Sequence, residues 1–130
     1  MKTLVVDDDS TDRLLLEQIL KEYGPVETAA NAIEALFAVR AALDSGTPFD
    51  LICLDIVMEE LNGLQALSVI RKMEIESRIS LARIVMITGR TDPATVMEAI
   101  KSQCDHYIAK PINKAILLEE LAKVGLISAQ

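Results

Sequence analysis

The stretch LVVDDDST, residues 4–11, joins an apolar run directly to three consecutive aspartates. The run TLVV (3–6) is short and rich in β-branched residues, which is typical of a buried β-strand. Adjacent carboxylates repel one another unless a cation relieves the repulsion. Their position at a strand end therefore indicates a site, and the same arrangement of apolar strand and reactive residue recurs along the chain.

Strands and helices are predicted to alternate as βαβαβαβαβα. The predicted strands are 3–6, 26–29, 49–55, 83–88 and 106–109, and the predicted helices are 10–23, 32–45, 64–77, one beginning at Pro93, and 113–124. Apolar strands alternating with helices favour a parallel sheet that is covered on both faces. We expect one domain over residues 1–130, with its core at about 2–125.

Composition excludes several classes of function. The net charge of −7 and the aromatic content of 3%, without Trp, disfavour direct nucleic-acid binding. No run approaches the roughly 18 apolar residues that span a bilayer, so membrane insertion is not expected. Cys53 and Cys104 lie far apart and lack metal-binding spacing, which is typical of reduced thiols in a cytoplasmic protein.

Residues of reactive type stand at, or directly after, the ends of four of the five predicted strands. They are Asp7 to Asp9, Asp55, Thr88 and Lys110. Open parallel sheets bind ligands outside the carboxyl ends of their strands, so folding would bring these residues to one rim. Carboxylates select Mg²⁺, or Mn²⁺, over softer metals. A carboxylate beside such an ion can attack a phosphoryl group, while an ammonium and a hydroxyl stabilise its oxygens. The set predicts phosphoryl transfer onto an aspartate.

With these motifs in place, the chain resembles the receiver domains of two-component response regulators. LVVDDDST, DLICLDIVMEELNGL, IVMITGRTD and YIAKPIN match the family pattern in order and near its usual spacing. The resemblance implies a flavodoxin-like (βα)5 fold, doubly wound around a five-stranded parallel sheet of order 2-1-3-4-5. It also implies a signalling phosphoacceptor, which catalyses only its own phosphorylation and dephosphorylation, rather than an enzyme.

The resemblance assigns metal and phosphoryl chemistry to the rim. Asp55 is implied as the phosphoacceptor and as a metal ligand. Asp8 is implied as a direct Mg²⁺ ligand, Asp7 acts mostly through metal-bound water, and the backbone carbonyl of Val57 is the third protein ligand. Val57 also lies where the family tunes the lifetime of the phosphoryl group. Because an apolar side chain cannot position an attacking water, we expect slow to moderate self-dephosphorylation.

Three further roles are implied by the same resemblance. Thr88 binds the phosphoryl group and relays its presence, and Lys110 pairs with a phosphoryl oxygen. The Lys110–Pro111 bond is expected to be cis. Tyr107 occupies the position of the aromatic switch, whose ring turns inward as Thr88 moves toward the phosphoryl group.

Partners are implied as well. A sensor histidine kinase or a histidine phosphotransfer protein would supply the phosphoryl group, and a downstream effector would bind the switched form. A homodimer through the face of the fourth helix, fifth strand and fifth helix is an additional expectation.

The chain departs from the family pattern in two segments. Met58-Glu59 stands in place of the usual Met-Pro pair, and Asn62-Gly63 in place of Asp-Gly, with Gly63 retaining the freedom of glycine at positive φ. The segment 74–82 is longer than usual, which indicates an extended third helix or a longer loop.

Two alternative functions remain open from the sequence. One is a Mg²⁺-dependent aspartyl phosphatase of the haloacid-dehalogenase kind, in which Asp7 would be the nucleophile and Asp9 the acid/base, with Thr11 completing the motif. The other is a degenerate receiver that works as an unphosphorylated docking module. The leading interpretation instead makes Asp9 a helix cap or a solvated charge. It makes the lone histidine, His106, structural or exposed.

Overall fold

The computed structural model of the protein describes residues 1–79 and 81–128. The strands are β1 (Thr3–Val6), β2 (Val26–Ala29), β3 (Leu51–Leu54), β4 (Arg83–Thr88) and β5 (His106–Ala109). The helices are α1 (Ser10–Leu20), α2 (Ala32–Asp44), α3 (Gly63–Ser77), α4 (Pro93–Lys101) and α5 (Lys114–Lys123). The alternation predicted from the sequence is confirmed.

All five strands are parallel and form one sheet in the order β2-β1-β3-β4-β5. The predicted flavodoxin-like fold is therefore confirmed. The central strands β1 and β3 are buried along their whole length, whereas β2 lies at an edge and exposes Glu27 and Thr28. Val6 at the end of β1 pairs with Leu54 at the end of β3, so both strands deliver the residues that follow them to the same rim.

Side chains that alternate along each strand divide the core into two halves. Leu4 and Val6 pack with α2, α3 and α4 on one face of the sheet, and Val5 packs with α1 and α5 on the other. A side chain of this size contributes about 1.5–3 kcal/mol when it is fully buried. Because both faces are covered, the rim at the strand ends is the place where polar side chains can gather.

Two predicted elements are each three residues shorter in the structure. The first helix ends at Leu20 rather than Tyr23, because residues Lys21–Tyr23 tighten into a 3₁₀ turn before Gly24. The third strand was predicted over 49–55 but covers only Leu51–Leu54. The carboxylate of Asp50 accepts a hydrogen bond from the backbone N–H of Lys2, at 2.7 Å, before the strand begins.

The prediction for Gly63 is wrong in its reason. Gly63 does not have a positive φ; in this loop the left-handed conformation falls on Glu60, with φ of 64°. Gly63 is required because its backbone lies against the phosphoacceptor candidate. A Cβ at this position would stand 2.0 Å from the carbonyl oxygen of Asp55 and 2.8 Å from Cα of Ile56.

The segment 74–82 combines a long helix with a buried ion pair. At 15 residues α3 is the longest helix of the described chain, and its C-cap, Arg78, has a φ of 55°. Arg71 donates to Glu74 at 2.7 Å, and Glu74 accepts from the backbone N–H of Ala82 at 2.6 Å. The structure therefore has the extended third helix, which was one of the two forms predicted for this segment. Ser80, within this segment, lies outside the described residues.

The C-terminal end of the predicted domain is only partly described. Residues 129–130, which belong to the single domain expected over 1–130, lie outside the described residues. Over residues 1–79 and 81–128, none of the helices combines the length and the apolar character needed to cross a bilayer.

Candidate functional site

Three carboxylates meet at the rim formed by β1 and β3. Asp7 and Asp8 follow β1, and Asp55 follows β3, where its backbone N–H donates to the carbonyl of Val6 at 3.1 Å. One oxygen from each of the three carboxylates lies within 4.8 Å of the others. Asp7 and Asp55 are buried, while Asp8 is exposed to solvent. Pairing of the two strands therefore produces the acidic cluster that the sequence predicted.

The cluster suits a hard divalent cation. It offers several carboxylate oxygens within one ion's reach, and Mg²⁺ is held in proteins by one or two carboxylates with waters completing its shell. Its open side, at Asp8, leaves room for such waters. The donor set therefore fits Mg²⁺ or Mn²⁺ and does not fit metals that prefer sulfur or imidazole.

Lys110 brings the fifth strand into the same site. Its Nζ lies 2.9 Å from Oδ2 of Asp7, 3.0 Å from Oδ2 of Asp55 and 3.0 Å from Oδ2 of Asp12. The Lys110–Pro111 bond is cis, as expected. The backbone N–H of Lys110 donates to the carbonyl of Thr88 at 2.9 Å, which ties the start of this loop to the end of β4.

The two oxygens of Asp55 have different partners. Oδ1 accepts from the backbone N–H of Ile56 at 2.7 Å, with the N–H of Val57 more distant at 3.4 Å. Oδ2 accepts from Lys110. These bonds fix the carboxylate plane, so the side chain is held in one orientation beside the cluster.

Burial and pairing act in opposite directions on the charges of the site. Burial raises the pKa of Asp7 above its ordinary value, although bonds from Lys110 and from the N–H of Asp9 oppose the shift. For Lys110, burial alone would lower the pKa, but hydrogen bonds to Asp7, Asp55 and Asp12 outweigh it and raise the pKa. Both pKa values are thus raised, but for different reasons. For Asp7, burial outweighs the bonds that it accepts, whereas for Lys110, the three carboxylates that accept from its ammonium outweigh burial.

Thr88 lies fully buried at the end of β4, next to the rim. Its Oγ1 accepts from the backbone N–H of Arg90 at 3.3 Å. The hydroxyl of Tyr107 donates to the backbone carbonyl of the same residue. Burial raises the pKa of this partly buried tyrosine, whose ring packs against the core on the α3 and α4 side. Thr88 and Tyr107 are therefore linked through one peptide segment.

Asp9 lies apart from the three-acid cluster. It is the exposed N-cap of α1, and its Oδ1 accepts from the backbone N–H groups of Thr11 at 2.9 Å and Asp12 at 3.1 Å. These bonds, first among them the one from Asp12, lower the pKa of Asp9. The prediction that Asp9 caps the helix is confirmed. The phosphatase interpretation, which needs Asp7 and Asp9 as a working pair, loses its second carboxylate.

Two other candidates sit where the sequence suggested. The side chain of Val57 is exposed beside the cluster, and the role of its carbonyl stays a prediction. His106, which was expected to be structural or exposed, is partly buried at the start of β5 and contacts Glu120 on α5.

Sequence reasoning missed three contacts of the site. Asp12 was interpreted only as a first-turn acid, yet it reaches Lys110. No local pattern indicated this contact, because Lys110 lies 98 positions later in the chain. Arg13, six residues after Asp7, donates to the carbonyl of Asp7 at 2.7 Å, and its separation from Asp7 does not fit helical spacing. Nothing in the sequence indicated that the backbone of Arg90 connects Thr88 to Tyr107.

Comparison with known proteins agrees with this geometry. The family model described as the response regulator receiver domain matches residues 3–122. The chemotaxis protein CheY1 of Helicobacter pylori is 34% identical over 126 residues, which cover 95% of this chain and 96% of that protein.

Two solved structures are similar in fold and in sequence. The CheX–CheY complex of Borrelia burgdorferi with BeF3 and Mg²⁺ matches with a TM-score of 0.83 and 26% identity, covering 95% of this chain and 88% of the matched chain. The Mg²⁺-complexed receiver domain of the histidine kinase CKI1 from Arabidopsis thaliana matches with a TM-score of 0.79 and 30% identity, covering 92% and 90%.

Proposed function

Because the chain belongs to the response regulator receiver domain family of two-component signalling systems, we propose that Asp55 accepts its phosphoryl group. The observation that carries this proposal is the place of Asp55, which shares the acidic cluster with Asp7 and Asp8 and also contacts Lys110. Asp7 shares both contacts, so the choice of Asp55 also rests on its position directly after β3, in the segment DLICLDIVMEELNGL that resembles the family pattern.

The metal roles follow from burial and position. Asp8 is exposed and free to bind Mg²⁺ directly, whereas Asp7 is tied to Lys110 and acts through metal-bound water. The carbonyl of Val57 completes the protein ligands on the β3 side. When bound, the cation would neutralise the negative charge of the phosphoryl oxygens beside three carboxylates. This chain's own residues then orient the reacting groups.

The transfer step can be written from the groups present. An oxygen of Asp55 attacks the phosphorus of a phosphohistidine, a P–O bond forms, and the P–N bond to the imidazole breaks. The imidazole leaves with the bonding electron pair and takes up a proton from solvent. Lys110 donates to one phosphoryl oxygen and the hydroxyl of Thr88 to another, which stabilises charge as it develops.

The switch proposal rests on the link between Thr88 and Tyr107. When the hydroxyl of Thr88 turns to a phosphoryl oxygen, its bond from the N–H of Arg90 changes, and the carbonyl of Arg90 is the acceptor for Tyr107. A local change of this kind can bias a two-state loop and ring, and thereby the affinity for a partner.

Partners and context complete the proposal. A sensor histidine kinase or a histidine phosphotransfer protein donates the phosphoryl group, and an effector protein receives the signal. A homodimer would use the exposed apolar side chains of α4 and α5, which are Met97, Ile100 and Ile116. Residues 1–130 would act as one receiver domain in the cytoplasm. Self-dephosphorylation is slow to moderate, so a half-life of seconds in purified protein would contradict the role given to Val57.

Titration of Mg²⁺, followed by beryllofluoride at saturating Mg²⁺, tests the proposed ligands. Asp8→Asn is expected to weaken Mg²⁺ binding by more than tenfold, because it removes a directly bound carboxylate. Asp55→Asn should abolish beryllofluoride binding. Asp9→Asn is the matched control, since it removes the same charge one position away and asparagine is an equally good N-cap. If Asp9→Asn weakens Mg²⁺ binding more than Asp8→Asn does, the assignment is wrong and the phosphatase interpretation is favoured.

A further inference from the structure

A fourth carboxylate, that of Asp12, contacts the ammonium of Lys110 without belonging to the three-acid cluster. Asp12 stands in the first turn of α1, and its Oδ2 lies 3.0 Å from Nζ of Lys110. Its side chain is 28% exposed, whereas those of Asp7 and Asp55 are almost fully buried. Asp12 is therefore the most exposed of the three carboxylates that contact Lys110.

The ammonium of Lys110 has no donor to spare. It carries three N–H groups, and three carboxylates stand at hydrogen-bond distance, those of Asp7, Asp12 and Asp55. A phosphoryl oxygen at Asp55 can gain a bond from Lys110 only if one of these contacts is released or shared. Asp7 belongs to the metal cluster and Asp55 is the group that reacts. Asp12 is therefore the one carboxylate on Lys110 that the reaction does not itself change.

We propose that Asp12 is a positioning residue that competes with the phosphoryl group for Lys110, and that it lowers the affinity of Asp55 for phosphoryl groups. This inference rests on the proposed function. Asp12 touches neither the metal cluster nor the reacting oxygen, so it acts through the lysine. Its unchanged negative charge repels the phosphoryl oxygens, and its bond to Nζ must be weakened before they can be paired.

An acid in the first turn of a helix also has a simpler explanation, the favourable interaction with the helix dipole. The contacts of α1 argue against that explanation as the whole role. Asp9 already accepts from the free backbone N–H groups of Thr11 and Asp12. The carboxylate of Asp12 contacts the ammonium of Lys110, which lies 98 positions later in the chain.

Competition for Lys110 and a purely structural contact predict different changes in ligand affinity, because Mg²⁺ and a phosphoryl group have opposite charges. A nearby carboxylate that is not a ligand attracts the cation and repels the anion. Removing its charge should therefore weaken Mg²⁺ binding and strengthen phosphoryl binding. Loss of a structural contact would instead disturb the site and weaken both.

Asp12→Asn is the variant that tests the proposal, since it removes the charge and keeps an oxygen acceptor of the same size. In the full chain at saturating Mg²⁺, beryllofluoride should bind roughly two- to fivefold more tightly than in the unmodified protein. Mg²⁺ alone should bind roughly twofold more weakly. Asp12→Glu, which retains the charge, should restore both affinities toward those of the unmodified protein.

Asp9→Asn serves as the matched control, because it removes an acid of the same helix turn that does not contact Lys110. Its effect on beryllofluoride affinity should be clearly smaller than that of Asp12→Asn, and urea unfolding should show all three variants folded. Equal effects of the two variants, no change in Asp12→Asn, or weaker binding of both ligands would each overturn the proposal. Failure of the unmodified protein to bind beryllofluoride would instead refute the proposed function itself.

Discussion

Gly63→Ala is expected to destabilise the protein, although alanine favours helices. Gly63 is the first residue of α3, where replacement of glycine by alanine ordinarily stabilises by up to about 1 kcal/mol. Here the new Cβ would stand 2.0 Å from the carbonyl oxygen of Asp55. The gap would have to open by about 1.4 Å to reach the 3.4 Å at which ordinary van der Waals contact begins.

The magnitude follows from the two things that such a shift disturbs. The obstructing atoms are backbone atoms of Asp55 and Ile56, which cannot swing away as a side chain would. The hydrogen bond of 2.9 Å from the N–H of Gly63 to the carbonyl of Ile56 would also be strained. Overpacking of about 1–3 kcal/mol and a lost hydrogen bond of about 1 kcal/mol outweigh the gain in propensity. After the propensity gain is subtracted, the free energy of unfolding should fall by about 1–3 kcal/mol.

The same displacement should impair chemistry more than it impairs folding. Asp55 would move by a sizeable part of an ångström relative to Lys110, and a misplacement of about 1 Å can slow a reaction by about 100-fold. Urea unfolding and the rate of phosphorylation by acetyl phosphate measure the two effects. Gly89→Ala is the matched control, because a Cβ there would meet nothing within 4 Å. A Gly63→Ala protein as stable and as reactive as this control would refute the reasoning.

Three further outcomes follow from the structure. Glu74→Gln should lower the free energy of unfolding by about 1–3 kcal/mol in urea titrations, because it removes the buried anion paired with Arg71 and leaves only the partly exposed Asp105 as its ionic partner. The exposed Glu76→Gln should change it little, and equal losses would contradict this account. Burial raises the folded-state pKa of Asp7 above 3.8, so its contribution to stability is present at low pH and lost as pH rises through the raised pKa. In Mg²⁺-free urea titrations, Asp7→Asn should therefore gain stability relative to the unmodified protein as pH rises above about 4, and a difference that shrinks with rising pH would count against it. Tyr107→Phe removes the hydroxyl that donates to the carbonyl of Arg90. It should leave beryllofluoride affinity nearly unchanged but diminish the NMR shifts that beryllofluoride causes in α4, with Tyr23→Phe as the control. Undiminished shifts would show that Tyr107 is not part of the switch.

Local patterns were sufficient for the fold because they record burial directly. The buried run of β1 is visible in TLVV itself, and the alternation of its side chains between two core halves follows once the run is a strand. Strand ends follow from the same pattern, so Asp7, Asp55 and Thr88 could be assigned to one rim before any contact was known. The cap formed by Asp9 was also predictable, since it depends only on the next three residues.

Contacts between distant segments could not be predicted in the same way. The bond between Asp12 and Lys110 depends on how α1 is placed relative to β5, which no local pattern encodes. Gly63 was correctly singled out for the wrong reason, because a sequence shows the freedom of a glycine but not the backbone packed against it. The bonds of Arg71 to Gln103 and Asp105 likewise arise only when α3 packs beside α4 and the loop that follows it.

Mapping of the phosphoryl group by mass spectrometry tests the central claim most directly. The protein is incubated with acetyl phosphate and Mg²⁺, alongside Asp55→Asn and Asp7→Asn. The account predicts one adduct on Asp55 that requires Mg²⁺ and is absent from Asp55→Asn. An adduct on Asp7, accompanied by turnover of acetyl phosphate, would contradict it and indicate a phosphatase. Absence of any adduct would contradict it as well and leave a receiver fold that works by docking alone.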